Sequence, residues 1–133
     1  MTSPGIVRFP KIGSFSEGIL IWGEVGAHIP FIPQRFFFVS NLSETAKRGG
    51  HAHRKCQQLI IPVSGSFTVS LARGRKDIKY FMSMPDCSLY IPSMTWVTIE
   101  GFSPDASYFV LASDLYDADD YIRDYDKFLE EIK

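Results

Sequence analysis

Between residues 30 and 104 the chain never runs far without a glycine or a proline: Pro30, Pro33, Gly49, Gly50, Pro62, Gly65, Gly74, Pro85, Pro92, Gly101 and Pro104. Proline removes an amide donor and glycine weakens any helix interior, so these residues punctuate the chain. The runs between are short and rich in β-branched and aromatic residues: Ile19–Trp22, Arg35–Val39, Gln58–Val63, Ser66–Leu71, Ile78–Met82, Leu89–Ile91, Trp96–Ile99 and Tyr108–Ala112. Short strands joined by turns predict an all-β sandwich or barrel. Alternation is clear in one of them, where Phe67, Val69 and Leu71 share a face and Ser66, Thr68 and Ser70 the other. Arg73-Gly74-Arg75-Lys76 reads as a hairpin turn carrying solvated charge.

The C-terminus changes period. In DLYDADDYIRDYDKFLEEIK the apolar residues Tyr121, Ile122, Tyr125, Phe128, Leu129 and Ile132 fall at the spacing of an amphipathic helix. Asp117 is the expected N-cap, with Asp119 and Asp120 in the first turn. The helix is expected to lay its apolar stripe on the outside of the barrel.

With 133 residues, 45% of them hydrophobic, the chain suffices for one domain over residues 1–133 with a real core. A formal net charge of -1 gives no electrostatic case for nucleic acid as a partner. No apolar run approaches the roughly 20 residues of a membrane span, and MTSPGIVRFPKIG lacks the basic start and apolar block of a secretory signal. The expected location is the cytoplasm, where Cys56 and Cys87 would remain thiols. Cys56 reads as a packed thiol rather than a nucleophile.

The chemistry concentrates in RGGHAHRKCQQLIIPVSG. His51 and His53 are two apart, so on a strand both point to the same side, into whatever cavity that strand lines. A His-x-His strand followed by an acidic ligand and a glycine turn is the metal signature of the cupin barrel. Here the turn is present at Gly65, but the glutamate position holds Gln58, and no histidine follows His53. Two imidazoles and an amide oxygen are a poor ligand set for a divalent metal, which argues against a metal-dependent oxygenase or hydrolase. Without a metal the pair is free to titrate near pH 6.5, and can take a proton from one atom while handling one on its neighbour. His28, ahead of Pro30 and Pro33, reads as structural.

RFFFVSN, RGGHAH, Gln58, SGSFTV, LYIPSMTW and LASDLYDADDYIRDYDKF together resemble the sugar-nucleotide 3,4-ketoisomerases, small metal-free cupins of the WxcM-like group. The resemblance runs from about Arg35 to Phe128. It implies a cupin-like jelly-roll β-barrel, a homodimer, no cofactor and a dTDP-4-keto-6-deoxyhexose substrate. The implied reaction moves the carbonyl from C4 to C3 through an enediol, in deoxyaminosugar synthesis for surface polysaccharide. His51 and His53 match the family's histidine pair and become base and proton shuttle, in either order. Arg48 suits the diphosphate, since a guanidinium gives charge-assisted and often bidentate contacts to phosphate oxygens; Arg35 is a second candidate. Tyr90 and Trp96, on later strands, would stack on sugar or thymine, and Gln58 would bond a sugar oxygen or orient a histidine.

The sequence departs from related members in three places. Val97 stands where a polar residue often follows the tryptophan matched by Trp96. The stretch near Glu17 and Gly18 lacks an expected arginine or tyrosine. Phe36-Phe37-Phe38 lacks a hydroxyl that some relatives keep as tyrosine. These positions bear on the stereochemistry at C4 and on substrate identity. They also motivate the alternative, a non-catalytic sugar-nucleotide-binding cupin.

Overall fold

The computed structural model describes residues 3–74 and 76–133. Arg75 of the basic turn lies outside the described residues; its neighbours Arg73 and Lys76 end and begin the paired strands of that hairpin. In chain order the strands are β1 (Gly5–Arg8), β2 (Lys11–Ser14), β3 (Gly18–Ile21), β4 (Arg35–Val39), β5 (Arg48–His53) and β6 (Gln58–Ser64). They continue with β7 (Phe67–Arg73), β8 (Lys76–Met82), β9 (Cys87–Ile91), β10 (Trp96–Glu100), β11 (Ser107–Ala112) and β12 (Tyr121–Ile122), followed by α1 (Tyr125–Glu131).

Two five-stranded antiparallel sheets form the body, ordered β1-β9-β6-β11-β4 and β12-β5-β10-β7-β8, while β2 and β3 make a separate hairpin. The sheets face each other as a jelly roll. They are open at their edges rather than closed into a continuous hydrogen-bonded barrel. Period-2 alternation fills the space between them: Phe67, Val69 and Leu71 point inward as expected, and meet Ile60, Leu89, Ile91, Val97, Ile99, Tyr108 and Val110. Phe67 and Tyr108 are within 5.1 Å, ring centre to ring centre; each such fully buried side chain contributes about 1.5–3 kcal/mol.

Two smaller clusters cover the outer faces. Leu59 and Tyr90, on the outside of the first sheet, lie under Phe9, Ile29 and Phe31. Ala52, Ile122 and Phe128, with Trp96, join the second sheet to α1, so the helix does lie outside the sandwich. His28 serves this architecture: its Nδ1 accepts the Glu24 amide at 3.1 Å and its ring meets Phe9 edge-on. Cys56 is a buried free thiol.

The helix is shorter than its period suggests. Asp117 caps only a 3-10 turn, Ala118–Asp120, accepting the Asp119 amide at 3.0 Å. Tyr121 and Ile122 then extend and pair with His53 and Ala52. α1 begins only at Tyr125, where Asp124 accepts the Asp126 amide at 3.0 Å. Backbone partners supplied by β5 replace those a longer helix would have provided. Among the described residues no helix is long and apolar enough to cross a membrane.

Candidate active site

The strand carrying the histidines departs from regular pleating at its two glycines. Gly49 and Gly50 take φ of +81° and +72°, a left-handed conformation that residues with a Cβ rarely adopt. Across the strand pair, Val97 faces His51, Thr98 faces Gly49 and Ile99 faces Arg48, with a register shift between Val97 and Thr98. One extra residue is thus accommodated on β5 as a bulge, which reverses the in–out order upstream of it. Val97 and Ile99 belong to the interior cluster, so their partners His51 and Arg48 share the interior side although they are three positions apart. His53 joins them, its ring 5.0 Å from that of His51 and nearly perpendicular at 87°.

β12 closes the back of this pair. Tyr121 lies against both imidazoles, at 4.3 Å from His53 and 5.0 Å from His51, and the Arg123 guanidinium sits 4.4 Å from the Tyr121 ring centre. Next to it, the Asp120 carboxylate meets His53 Nδ1 at 3.0 Å. In front of the histidines a cleft of about 450 Å³ is lined by Arg35, Lys47, Arg48 and Arg123, by Phe37, Tyr116 and Tyr121, and by His51 and Gln58. Arg35 donates from Nε to the Asp114 carbonyl at 2.9 Å and lies over Phe37 and Tyr116. Burial works against its charge, but the Tyr121 hydroxyl and the Cys56 thiol outweigh it and hold the guanidinium pKa above its usual value. Burial pushes the Tyr108 phenol up, against the pull of Arg48 beside it.

Both histidines are held below the usual imidazole pKa. Burial, then the neighbouring His53, then Arg123 and Arg48 bring His51 down to about 4, the Gly49 carbonyl opposing. Burial also lowers His53, against the opposing pull of Asp120. His51 Nδ1 and His53 Nε2 are buried without a hydrogen-bond partner. His53, Cys56 and Asp120 offer ligand atoms within 4.8 Å of one another. The Asp120 oxygens, however, already receive His53 Nδ1 and the amides of Lys55 and Cys56 at 3.0, 2.7 and 3.2 Å. A cation would have to displace those bonds.

Arg35, Arg48, His51 and Gln58 line one cleft, with His53 buried beside His51, and two expected residues lie elsewhere. Tyr90 alternates with Leu89 and Ile91 and so points to the outer face of the first sheet, where its hydroxyl donates to Gln57 Oε1 at 2.5 Å. Trp96 alternates with Val97 and Ile99, and packs on Tyr125 and Phe128 of the helix at 5.1 and 5.7 Å. Val97 stands directly opposite His51. Glu17 and Gly18 lie at the turn end of the β2–β3 hairpin and do not line this cleft. Sequence reasoning missed Lys47, Tyr116, Asp120, Tyr121 and Arg123. Four of these fall in YDADDYIRDY, where Tyr121 and Arg123 carry the i, i+2 spacing of a strand inside a stretch that also satisfies helical spacing.

A small antiparallel jelly roll whose cleft sets one imidazole, backed by a second, among four cations can move protons on an anionic ligand. Known proteins narrow this class. The family model described as FdtA, WxcM-like, C-terminal, matches residues 2–133, and the chain belongs to that family, the 3,4-ketoisomerases. It is 35% identical over 127 residues to the TDP-4-oxo-6-deoxy-alpha-D-glucose-3,4-oxoisomerase of Aneurinibacillus thermoaerophilus, covering 96% of this chain and 91% of that one. Its fold is similar to a 3,4-ketoisomerase from Helicobacter canadensis, with a TM-score of 0.93, 32% identity and 99% and 98% of the two chains covered. It is also similar to QdtA, a sugar 3,4-ketoisomerase from Thermoanaerobacterium thermosaccharolyticum solved in complex with TDP, with a TM-score of 0.92, 29% identity and 97% and 93% covered.

Proposed function

We propose that this protein moves the carbonyl of a dTDP-4-keto-6-deoxyhexose from C4 to C3, and that His51 is the base. The observation that carries the reading is the placement of a neutral His51 in the cleft wall, with His53 beside it and four cations around it. His51 takes the proton from C3, and the electron pair left behind forms an enediolate with its charge on the C4 oxygen. A proton is exchanged from the C3 oxygen to the C4 oxygen, the task assigned to His53. Return of a proton to C4 completes the product, with C3 now the carbonyl and no net gain or loss of protons. Arg48, Arg35 and Arg123 neutralise the diphosphate by charge-assisted hydrogen bonds, and Gln58 bonds a sugar oxygen. Stacking, expected of Tyr90 and Trp96, falls to Tyr116 and Tyr121, which line the cleft. The product's 3-keto group is the acceptor for amination, in the assembly of deoxyaminosugars for surface polysaccharide in the cytoplasm.

The working unit in this reading is a homodimer. Ile12, Phe15, Ile19 and Leu20 of the β2–β3 hairpin are all exposed, Phe15 completely, and a lone two-stranded hairpin is marginal in water. A second copy covering these residues explains their composition. Sedimentation of the Ile12→Lys/Leu20→Lys variant should give a monomer where the native protein gives a dimer; a monomeric native protein would remove the support.

The functional test is incubation with dTDP-4-keto-6-deoxyglucose in deuterated water, followed by proton NMR. A 3-keto product carrying deuterium at C4, lost in His51→Asn and His53→Asn, is the expected result. Ligand binding with neither product nor exchange would favour the non-catalytic sugar-nucleotide binder instead, a reading motivated by the apolar Val97 opposite His51.

A further inference from the structure

The least expected feature of the site is a buried carboxylate that does not face the cleft. Asp120 is only 8% exposed. One oxygen, Oδ1, accepts the Lys55 amide at 2.7 Å, and the other, Oδ2, accepts the Cys56 amide at 3.2 Å and faces His53 Nδ1 at 3.0 Å. Its main chain is held as firmly. The Arg54 amide donates to the Asp120 carbonyl at 2.9 Å, and the Arg54 guanidinium donates to the carbonyls on either side, Asp119 at 2.7 Å and Tyr121 at 3.3 Å. The neighbouring Tyr121 pairs in register with His53 itself. Position and orientation of the carboxylate are therefore set independently of the imidazole.

An ionised carboxylate only accepts hydrogen bonds, so His53 must donate from Nδ1. In the neutral ring the lone pair then resides on Nε2, which is buried and without a partner. We propose that Asp120 is a positioning residue that locks His53 in the Nδ1–H tautomer and keeps its Nε2 free as a proton acceptor. A proton arriving at Nε2 makes an imidazolium already paired with a fixed carboxylate. The same proton is handed back to substrate within the turnover, so the dyad needs no other acid or base. The assignment rests on His53 acting as the proton shuttle in the proposed isomerisation. His51 has no carboxylate partner of this kind; the protein group acting on its ring is the Gly49 carbonyl.

Asp120→Asn separates the roles of this side chain. An asparagine oxygen can keep the short bond from the Lys55 amide, but its NH₂ then faces His53 Nδ1 and demands the opposite tautomer. The test combines kinetics with 15N NMR of the imidazoles in the uniformly labelled protein. In the native protein His53 should show the Nδ1–H, Nε2-lone-pair pattern, and in Asp120→Asn the reverse. Turnover should drop on the order of a hundredfold or more, as when an orienting carboxylate is neutralised, with KM little changed. The thermal midpoint should fall as well, because the same NH₂ opposes the Cys56 amide, so the tautomer and the KM-against-kcat split, not stability, carry the test. A native His53 in the Nε2–H form, or an Asp120→Asn variant with native turnover, overturns the assignment. The native tautomer can be read without turnover, so an Asp120 result stands even if the isomerase reading fails. Loss of activity in both native protein and variant would refute only that reading.

Discussion

Gly49 approaches Val97 so closely that a Cβ at position 49 would stand 2.6 Å from the Val97 carbonyl oxygen and 3.1 Å from its carbon. Gly50, next in the chain, has open space around the same hypothetical atom and shares only the left-handed φ of +72°. The two glycines thus make separate contributions to the bulge that turns Arg48 toward the histidines. Gly50→Ala should lose about 1 kcal/mol for its backbone conformation alone. Gly49→Ala should lose about 2–4 kcal/mol, because steric overlap with backbone adds to the strain. Urea unfolding of the two variants measures the difference, and equal losses would contradict the close approach. Gly49→Ala should also weaken TDP binding, since Arg48 loses its orientation.

The depressed His51 pKa has a direct consequence for the pH profile. With His51 near 4, the proposed base remains deprotonated well below the pH at which an ordinary imidazole, near 6.5, would charge. The acid limb of kcat/KM should accordingly lie closer to pH 4 than to 6.5. The same depression affects stability. Between pH 6.5 and about 4 the unfolded chain binds a proton at this position and the folded chain does not, so stability falls as pH is lowered through that window. His51→Asn should remove that part of the dependence. An acid limb at 6.5 in the native enzyme would mean that burial does not govern the ring.

Charge in the cleft should read out as affinity. Arg123 lines the cleft and lies over Tyr121; hydrogen bonds to charged groups contribute about 1.5–3 kcal/mol. Arg123→Ala should weaken TDP binding by roughly 10- to 100-fold in calorimetry, and less at high salt. Lys127→Ala, on the exposed side of α1, is the control and should change little. Equal losses in both would make the attraction a matter of net charge rather than of this cleft.

Trp96 distinguishes a binding role from a packing role. The indole meets Tyr125 and Phe128 and not the cleft, so Trp96→Ala should leave TDP affinity unchanged. It should still lower stability by about 2 kcal/mol, below the usual loss for a fully buried tryptophan because the ring is only half-buried. Calorimetry and urea unfolding on one preparation give both numbers. Weakened binding with native stability would return Trp96 to the site.

How much of this was legible beforehand differed between residues. Phe67, Val69 and Leu71 could be assigned to the interior from alternation alone, because a strand's two faces are a local property. His51 and His53 could be paired for the same reason. Tyr90 and Trp96 were open to the same analysis: each alternates with buried aliphatic neighbours that had first claim on the interior, and aromatic bulk on an outer face found cover from Phe31 and from α1.

Sequence by itself determined the all-β class, the strand that carries the chemistry and the side on which its two imidazoles meet, since turn residues and period-2 alternation act over a few bonds. Tertiary structure alone decided the rest. Arg48 faces the histidines because Val97 and Thr98 on another strand impose the bulge. Asp120, Tyr121 and Arg123 reach the site because β5 gives Tyr121 and Ile122 backbone partners that compete with a helix. His53 and Asp120 are 67 residues apart in the chain. Contacts at that separation depend on loop closure and on register between strands, quantities that no local pattern encodes.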